Sequence, residues 1–204
     1  MKIGILTDLH EDAARLDQAV AILRERGAER FVVLGDLFRS GGGLDRIVER
    51  LLGYGIEEAV WGNHDIGLSR LFEEDPRESY RVETIRYMRE LEPWIDRGEC
   101  RFQHLPPHHD PMTIEGMWSC SWEEFSRTPG ELEACFSACT QRLIFIGHFH
   151  SWMHATPAGI TDWVGGEPLD LSGPGRHLIA VHAVTDGGCA LFDEERSILT
   201  PYTW

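Results

Sequence analysis

The chain has 204 residues, 42% of them hydrophobic and 26% charged, which suits one globular domain large enough to bury a core. No apolar run approaches the ~20 residues needed to cross a bilayer. The formal net charge of −15 repels nucleic acid and anionic membrane over most of the surface, but it admits an anionic substrate wherever carboxylates and imidazoles gather cations. The opening MKIGILTDLH lacks the long apolar core and small-residue cleavage site of an export signal, so the expected compartment is the cytoplasm. An odd number of cysteines, five, then argues against a disulfide framework. Cys135 and Cys139 read as small buried apolar residues.

Residues 2–6 read as a buried parallel strand. Residues 12–26 carry Ala13, Leu16, Ala19, Val20 and Leu23 at helical spacing, with Gly27 as the stop. A second buried strand, 31–34, runs into Gly35-Asp36, and a helix over 44–52 ends at Gly53. A short strand at 59–61 leads into Gly62-Asn63-His64-Asp65. Residues 76–91 read as a charged helix with Tyr80, Thr84, Tyr87, Met88 and Leu91 on one side. A strand at 101–103 enters His104-Leu105-Pro106-Pro107, and 108–127, with Trp118 and Trp122, reads as irregular. After a helix over 131–138, strand 143–146 ends in Gly147-His148-Phe149-His150. Residues 177–184 and 189–192 flank Asp186-Gly187-Gly188 and read as an antiparallel hairpin. The alternation predicts a mostly parallel α/β sheet with helices on both faces. Ligands bind such sheets beyond the carboxyl ends of the strands, where Asp8, Asp36 and Asn63 fall.

The polar strand-end residues form one chemical set: Asp8, His10, Asp36, Asn63, His64, His104, His148 and His150. Carboxylate, imidazole and amide oxygen suit divalent Mn, Fe, Co, Ni or Zn. Asp-x-His and His-x-His spacings put alternate residues on one side of an extended chain. One bridging carboxylate plus three further ligands per metal needs seven groups, which leaves His64 over.

Asp-x-His, Gly-Asp, Gly-Asn-His-Asp, a lone His before a Pro-containing loop and Gly-His-x-His occur in that order. This series, spread over residues 2–151, resembles the calcineurin-like metallophosphoesterase family. The resemblance implies a two-sheet α-β-β-α sandwich over residues 1–204, a single domain. It implies two divalent metals, with Mn expected to serve in vitro. Asp8, His10 and His150 would hold the first metal; Asn63, His104 and His148 would hold the second; Asp36 would bridge them. A metal-bridged hydroxide would attack the phosphorus, and His64 would contact the phosphate and protonate the leaving group. The chain departs from the family at Glu11-Asp12, where Gly is common. It also lacks the second Asp and the Arg-Gly that protein phosphatases of the family carry after Gly-Asp, and it has Asp65 where they favour Glu. These departures point away from a protein phosphatase.

The expected activity is therefore hydrolysis of a small phosphomonoester or phosphodiester. A nuclease of the same family, and a non-catalytic interaction module that keeps the fold, are the alternatives. Arg39, three residues past Asp36, is a candidate phosphate contact, and Asp65 is read either as a support for His64 or as a loop carboxylate. His108 and His109 compete with His104 for the ligand role but are read as rim or surface residues, because His104 directly follows the strand; His154, His177 and His182 are read as structural. Trp94, Trp118 and Trp122 are read as packing over a core edge, with the wall of the site as the alternative. The oligomeric state is open.

Overall fold

The structure is a computed structural model that describes residues 1–71 and 79–204, with residues 70 and 71 described by their backbone alone. Strand β1 (Lys2–Leu6) is buried along both faces. Its odd residues Ile3 and Ile5 join one core and Leu6 joins another, as a period of two requires. Helix α1 (Ala13–Glu25) follows, and the Asp12 side chain caps it by accepting from Arg15 N at 3.0 Å. It buries the five residues whose spacing predicts the helix and returns the chain to β2 (Arg30–Val33), parallel to β1. Helix α2 (Leu44–Gly53) buries Leu44, Ile47, Val48 and Leu51. Glu11 reaches the loop before it and accepts from Gly41 N and Gly43 N. Glu11 and Asp12 thus both have local structural work.

Helix α3 (Val82–Glu90) buries Thr84, Ile85, Tyr87 and Met88. The helix expected over 76–91 therefore begins at Val82, and its expected start at 76–78 lies outside the described residues. Strands β3 (Trp94–Arg97) and β4 (Cys100–Gln103) come next. The stretch 108–127, expected to be irregular, contains α4 (Ile114–Trp118) and α5 (Trp122–Arg127). Thr113 and Ser121 cap them by accepting from Gly116 N and Glu124 N; these local caps offset the weak periodicity of such short helices. Helix α6 (Glu131–Ala138) leads to β5 (Leu143–Ile146). Then come β6 (Met153–Thr156), β7 (Gly159–Ile160), β8 (Leu169–Asp170), β9 (His177–Ala180), β10 (Gly188–Asp193) and β11 (Ile198–Thr203).

The strands form two sheets, ordered β2-β1-β10-β11-β8 and β3-β4-β5-β9-β6-β7. Helices flank both. Between the sheets lies a core of Ile3, Ile5, Val32, Phe102, Phe145 and Phe192, in which Phe145 meets Phe192 of the opposite sheet at 5.1 Å between ring centroids. The single, mostly parallel sheet is corrected: among the named strands of the described residues only β1–β2, β4–β5 and β5–β9 are parallel pairs, and both sheets are mixed. The expected hairpin is corrected too. β9 pairs with β5 and β6, whereas β10 pairs with β1 and β11 in the other sheet. A 3-10 turn, Val184–Asp186, carries the chain across. Both strands are apolar on both faces, so their pattern does not name a partner. Residues 59–61 make only two parallel bridges, Val33 with Ala59 and Val60 with Glu92. No helix among the described residues is long and apolar enough to cross a membrane.

Candidate metal centre

The carboxyl ends of β1, β2, β4, β5 and the 59–61 segment meet at one edge of the sandwich, and the loops leaving them deliver the eight polar residues. The backbone there is unusual. Asp8, His10, Asp36, His148 and His150 all have positive φ, between 41° and 68°. Non-glycine residues in this left-handed region are uncommon and cost roughly 1–3 kcal/mol each. Two glycines allow the close approach of loops: a Cβ on Gly62 would strike Asp36 Oδ1, and one on Gly147 would strike Thr7 Oγ1.

The donor atoms fall into two groups. Asp8, His10 and His150 each offer an atom within 4.8 Å of the others, and so do Asp36, His104 and His148. His10 Nε2 and His150 Nε2 are 3.2 Å apart. Asn63 Oδ1 lies 3.0 Å from both His104 Nε2 and His148 Nδ1. Asp36 Oδ2 stands between the groups, 3.7 Å from His10 Nε2 and 3.5 Å from His104 Nε2. Its other oxygen accepts from His64 N at 3.0 Å.

The outer atoms of these side chains are already occupied. His10 Nδ1 faces Phe38 O at 3.4 Å, and His104 Nδ1 faces Leu34 O at 2.7 Å. His148 Nε2 faces Cys120 O at 2.8 Å, and His150 Nδ1 faces Asp186 Oδ2 at 2.7 Å. An acceptor on one ring nitrogen fixes the tautomer and turns the other lone pair inward, as metal-ligating histidines require. Asp8 repeats the pattern. Its Oδ2 accepts from Thr7 Oγ1 at 2.7 Å and His148 N at 3.0 Å, whereas its buried Oδ1 makes no hydrogen bond. The groups nearest that oxygen are His150 Nε2 at 3.3 Å and His10 Nε2 at 3.9 Å; a buried carboxylate oxygen without a hydrogen bond is costly, and a cation shared with those two nitrogens is a natural partner for it. The donor set therefore fits two divalent metals.

Charge supports the same reading. Burial opposes ionisation of Asp36, but His104, the His64 backbone N–H and His10 together outweigh it and hold the carboxyl well below the usual range. Burial likewise opposes the charged form of His104, yet Asp36 draws its pKa up to about 9. Contact with Asp8, against burial, raises His150 to about 9. Burial lowers His148 to about 4, and it lowers His10 as well. Buried carboxylates thus demand positive charge, which two divalent cations supply more strongly than imidazolium does.

His64 sits at the rim, its ring edge-on to His10 and to Trp118, both at 5.0 Å. It also comes within ligating reach of His10 and Asp36. Asp65 does not touch the His64 ring. Fully buried, it accepts from Gly62 N, Leu37 N and Phe38 N and so ties the Asp36 loop to the Asn63 loop. Burial, then the charge of Asp36, raises its pKa to about 7 against these three donors. Arg39 is exposed, beside the Phe38 whose carbonyl faces His10. Trp94, Trp118 and Trp122 are exposed at 40%, 55% and 40%, which corrects the packing reading, and Trp118, against the His64 ring, fits the reading that it walls the site. The sequence does not single out Asp186 or the Cys120 and Leu34 carbonyls. Asp186 sits in a glycine-rich turn, and a backbone carbonyl leaves no mark in residue type.

Residues 1–185 match the family model of the calcineurin-like phosphoesterase superfamily domain. No curated protein matches the chain. Among solved structures, a metallophosphoesterase from Sphaerobacter thermophilus is 23% identical, with a TM-score of 0.76 over 100% of this chain and 87% of that one. A putative diadenosine tetraphosphatase is 18% identical, with a TM-score of 0.60 over 100% and 94%. An archaeal phosphodiesterase is 13% identical, with a TM-score of 0.57 over 100% of both chains. At these identities the likeness is one of fold. The family match over most of the chain, the two-sheet fold and the Asp, Asn and His array agree: the chain belongs to the calcineurin-like phosphoesterase superfamily.

Proposed function

We propose that the chain is a two-metal phosphoesterase acting on a small phosphomonoester or phosphodiester, with His64 as its proton donor. Asp8, His10 and His150 hold one cation; Asn63, His104 and His148 hold the other; Asp36 spans both. The observation that carries this reading is the occupied outer nitrogen of all four ligand histidines. When bound, the cations supply an ionised water nucleophile near neutral pH and neutralise the phosphate oxygens. The chain's own residues do the rest. Phe38, Leu34, Cys120 and Asp186 hold the imidazoles in the ligating tautomer. Asp36 Oδ1 accepts from His64 N and fixes the loop that presents the His64 ring. That ring gives its proton to the departing oxygen, a step worth roughly 10²–10⁴ in rate. Arg39 contacts the phosphate, and Trp118 offers an aromatic face on the leaving-group side. Manganese is the expected metal in vitro. Five buried free cysteines fit a reducing compartment, and we assign the reaction to the cytoplasm.

The test is a substrate panel with added Mn: a nitrophenyl monoester, its diester, cyclic nucleotides and short nucleic acids. Hydrolysis of a small ester is expected. Inactivity on every substrate with every metal of the set would overturn the enzyme reading in favour of an interaction module, and activity confined to nucleic acid would make it a nuclease. His64→Ala keeps both metals and loses about 10²–10⁴ in kcat. Loss of a metal in that variant, read by elemental analysis, refutes the role given to His64.

A further inference from the structure

A second cluster of ligating groups lies outside this centre, where the chain leaves β4 and where it enters α6. His108 Nε2 stands 2.9 Å from Glu131 Oε2, and the His108 and His109 rings are 4.2 Å apart at their centroids. One ligating atom from each of His108, His109 and Glu131 lies within 4.8 Å of the others. An ion pair between His108 and Glu131 explains two of these residues. It does not explain the third.

The state of His109 follows from its neighbours. Ser119 Oγ donates its proton to Gly116 O at 3.0 Å. The same oxygen therefore accepts from His109 Nδ1, 3.0 Å away. With the proton on Nδ1, neutral His109 carries a bare lone pair on Nε2. That atom is buried and has no hydrogen-bond partner. Burial, then the neighbouring His108, lowers the pKa of the ring, so protonation of Nε2 is disfavoured. A buried lone pair with no hydrogen-bond partner, on a ring packed against His108 in a cluster that includes a carboxylate, calls for a Lewis acid.

We propose that His108, His109 and Glu131 bind a third divalent cation of the zinc class, separate from the two-metal centre. Two imidazoles and one carboxylate are a known zinc ligand set, with the fourth position left to solvent. At Zn–N distances of about 2.0–2.1 Å, tetrahedral ligand atoms are about 3.3 Å apart. The 2.9 Å pair opens by a few tenths of an ångström to reach that spacing, and the other two pairs, within 4.8 Å, close by at most about 1.5 Å. Cys135 Sγ, 3.2 Å from His108 Nδ1, supports that ring from behind and leaves its Nε2 for the metal. The position gives the cation a role. It fastens the two ends of the 110–130 excursion, which brings Trp118 to His64 and the Cys120 carbonyl to His148.

The experiment is zinc stoichiometry by equilibrium dialysis and elemental analysis on the full chain, comparing wild type with His109→Gln and Glu131→Gln. Circular dichroism confirms the fold of each variant. The expected result is one equivalent fewer in either variant. An Asp36→Asn background keeps the outcome apart from that of the two-metal reading: there His109→Gln again removes one equivalent, whatever number the main centre retains. Equal stoichiometry with and without His109 and Glu131 in folded protein overturns the proposal. Zinc-dependent protection of residues 110–130 from proteolysis, present in wild type and absent in His109→Gln, is the second readout. Equal protection in both overturns the fastening role.

Discussion

Asp65 shows how a single side chain sets the geometry of the centre without touching a substrate. Its two oxygens accept from Gly62 N, Leu37 N and Phe38 N, and so hold together the loops that carry Asn63 and Asp36. In Asp65→Asn an amide NH₂ replaces one oxygen and faces a backbone N–H. The expected cost is about 1–3 kcal/mol of stability in metal-free protein, with weaker metal binding as the loops part. Denaturant unfolding and metal titration check this; a variant that matches wild type in both refutes the tie. At this scale the sequence is partly legible. Asp8, Asp36, Asn63 and His148 follow apolar runs and a glycine or threonine, so their strand-end position shows. Asp65 is visible as a polar residue but not as a loop tie, because its partners are backbone amides contributed by any residue type.

Pairing between elements hides a pH dependence. His154 on β6 and His177 on β9 meet across adjacent strands, Nε2 to Nδ1 at 2.9 Å, while Thr161 Oγ1 sits 3.0 Å from the other nitrogen of His154. Burial, then His177, depresses His154 to about 4, and burial depresses His177 as well. The unfolded chain binds a proton near pH 6.5. Between pH 6.5 and pH 4 it therefore takes up a proton that folded His154 refuses, and stability falls as pH falls. Above pH 6.5 the contribution is complete. It amounts to about 1–2 kcal/mol after allowance for solvent screening. Melting temperatures across pH 4–8 should decline in that window for wild type and less steeply for His154→Gln; parallel curves refute the assignment. Elements were legible where one period ruled, as in α1 and β1. They were not where two apolar runs competed for partners: nothing in residues 177–192 says that β9 and β10 belong to opposite sheets.

Over the whole molecule, two sheets present their loops along one edge, and folding alone assembles the metal centre from residues as distant in sequence as Asp8 and His150. A cation that binds this edge binds only folded protein, so it stabilises by mass action, about 2.7 kcal/mol per site at a hundredfold excess over Kd. For a chain of this size that is a shift of about 5–10 °C in Tm. Chelation should lower Tm by that amount per site, and Mn or Zn should restore it; no shift in scanning calorimetry refutes metal binding at the edge. The two-sheet form was legible through the ordered motifs and the family likeness they carry. The alternation of strands and helices by itself suggests one parallel sheet, because β10 and β11, which extend the β1–β2 sheet away from β4 and β5, bear no chemistry.

The left-handed backbone at Asp8, His10, Asp36, His148 and His150 also narrows the alphabet open to the centre. Asp, Asn and His enter that conformation more readily than other non-glycine residues, and they also ligate divalent metals. Glutamate and cysteine satisfy the chemistry but not the dihedral angle; Glu11, which does adopt it, is held there by two amides of the neighbouring loop. The centre is thus written in the overlap of two vocabularies, one of coordination and one of chain conformation. At those five positions, exchange among the proposed ligands is confined to residues that belong to both.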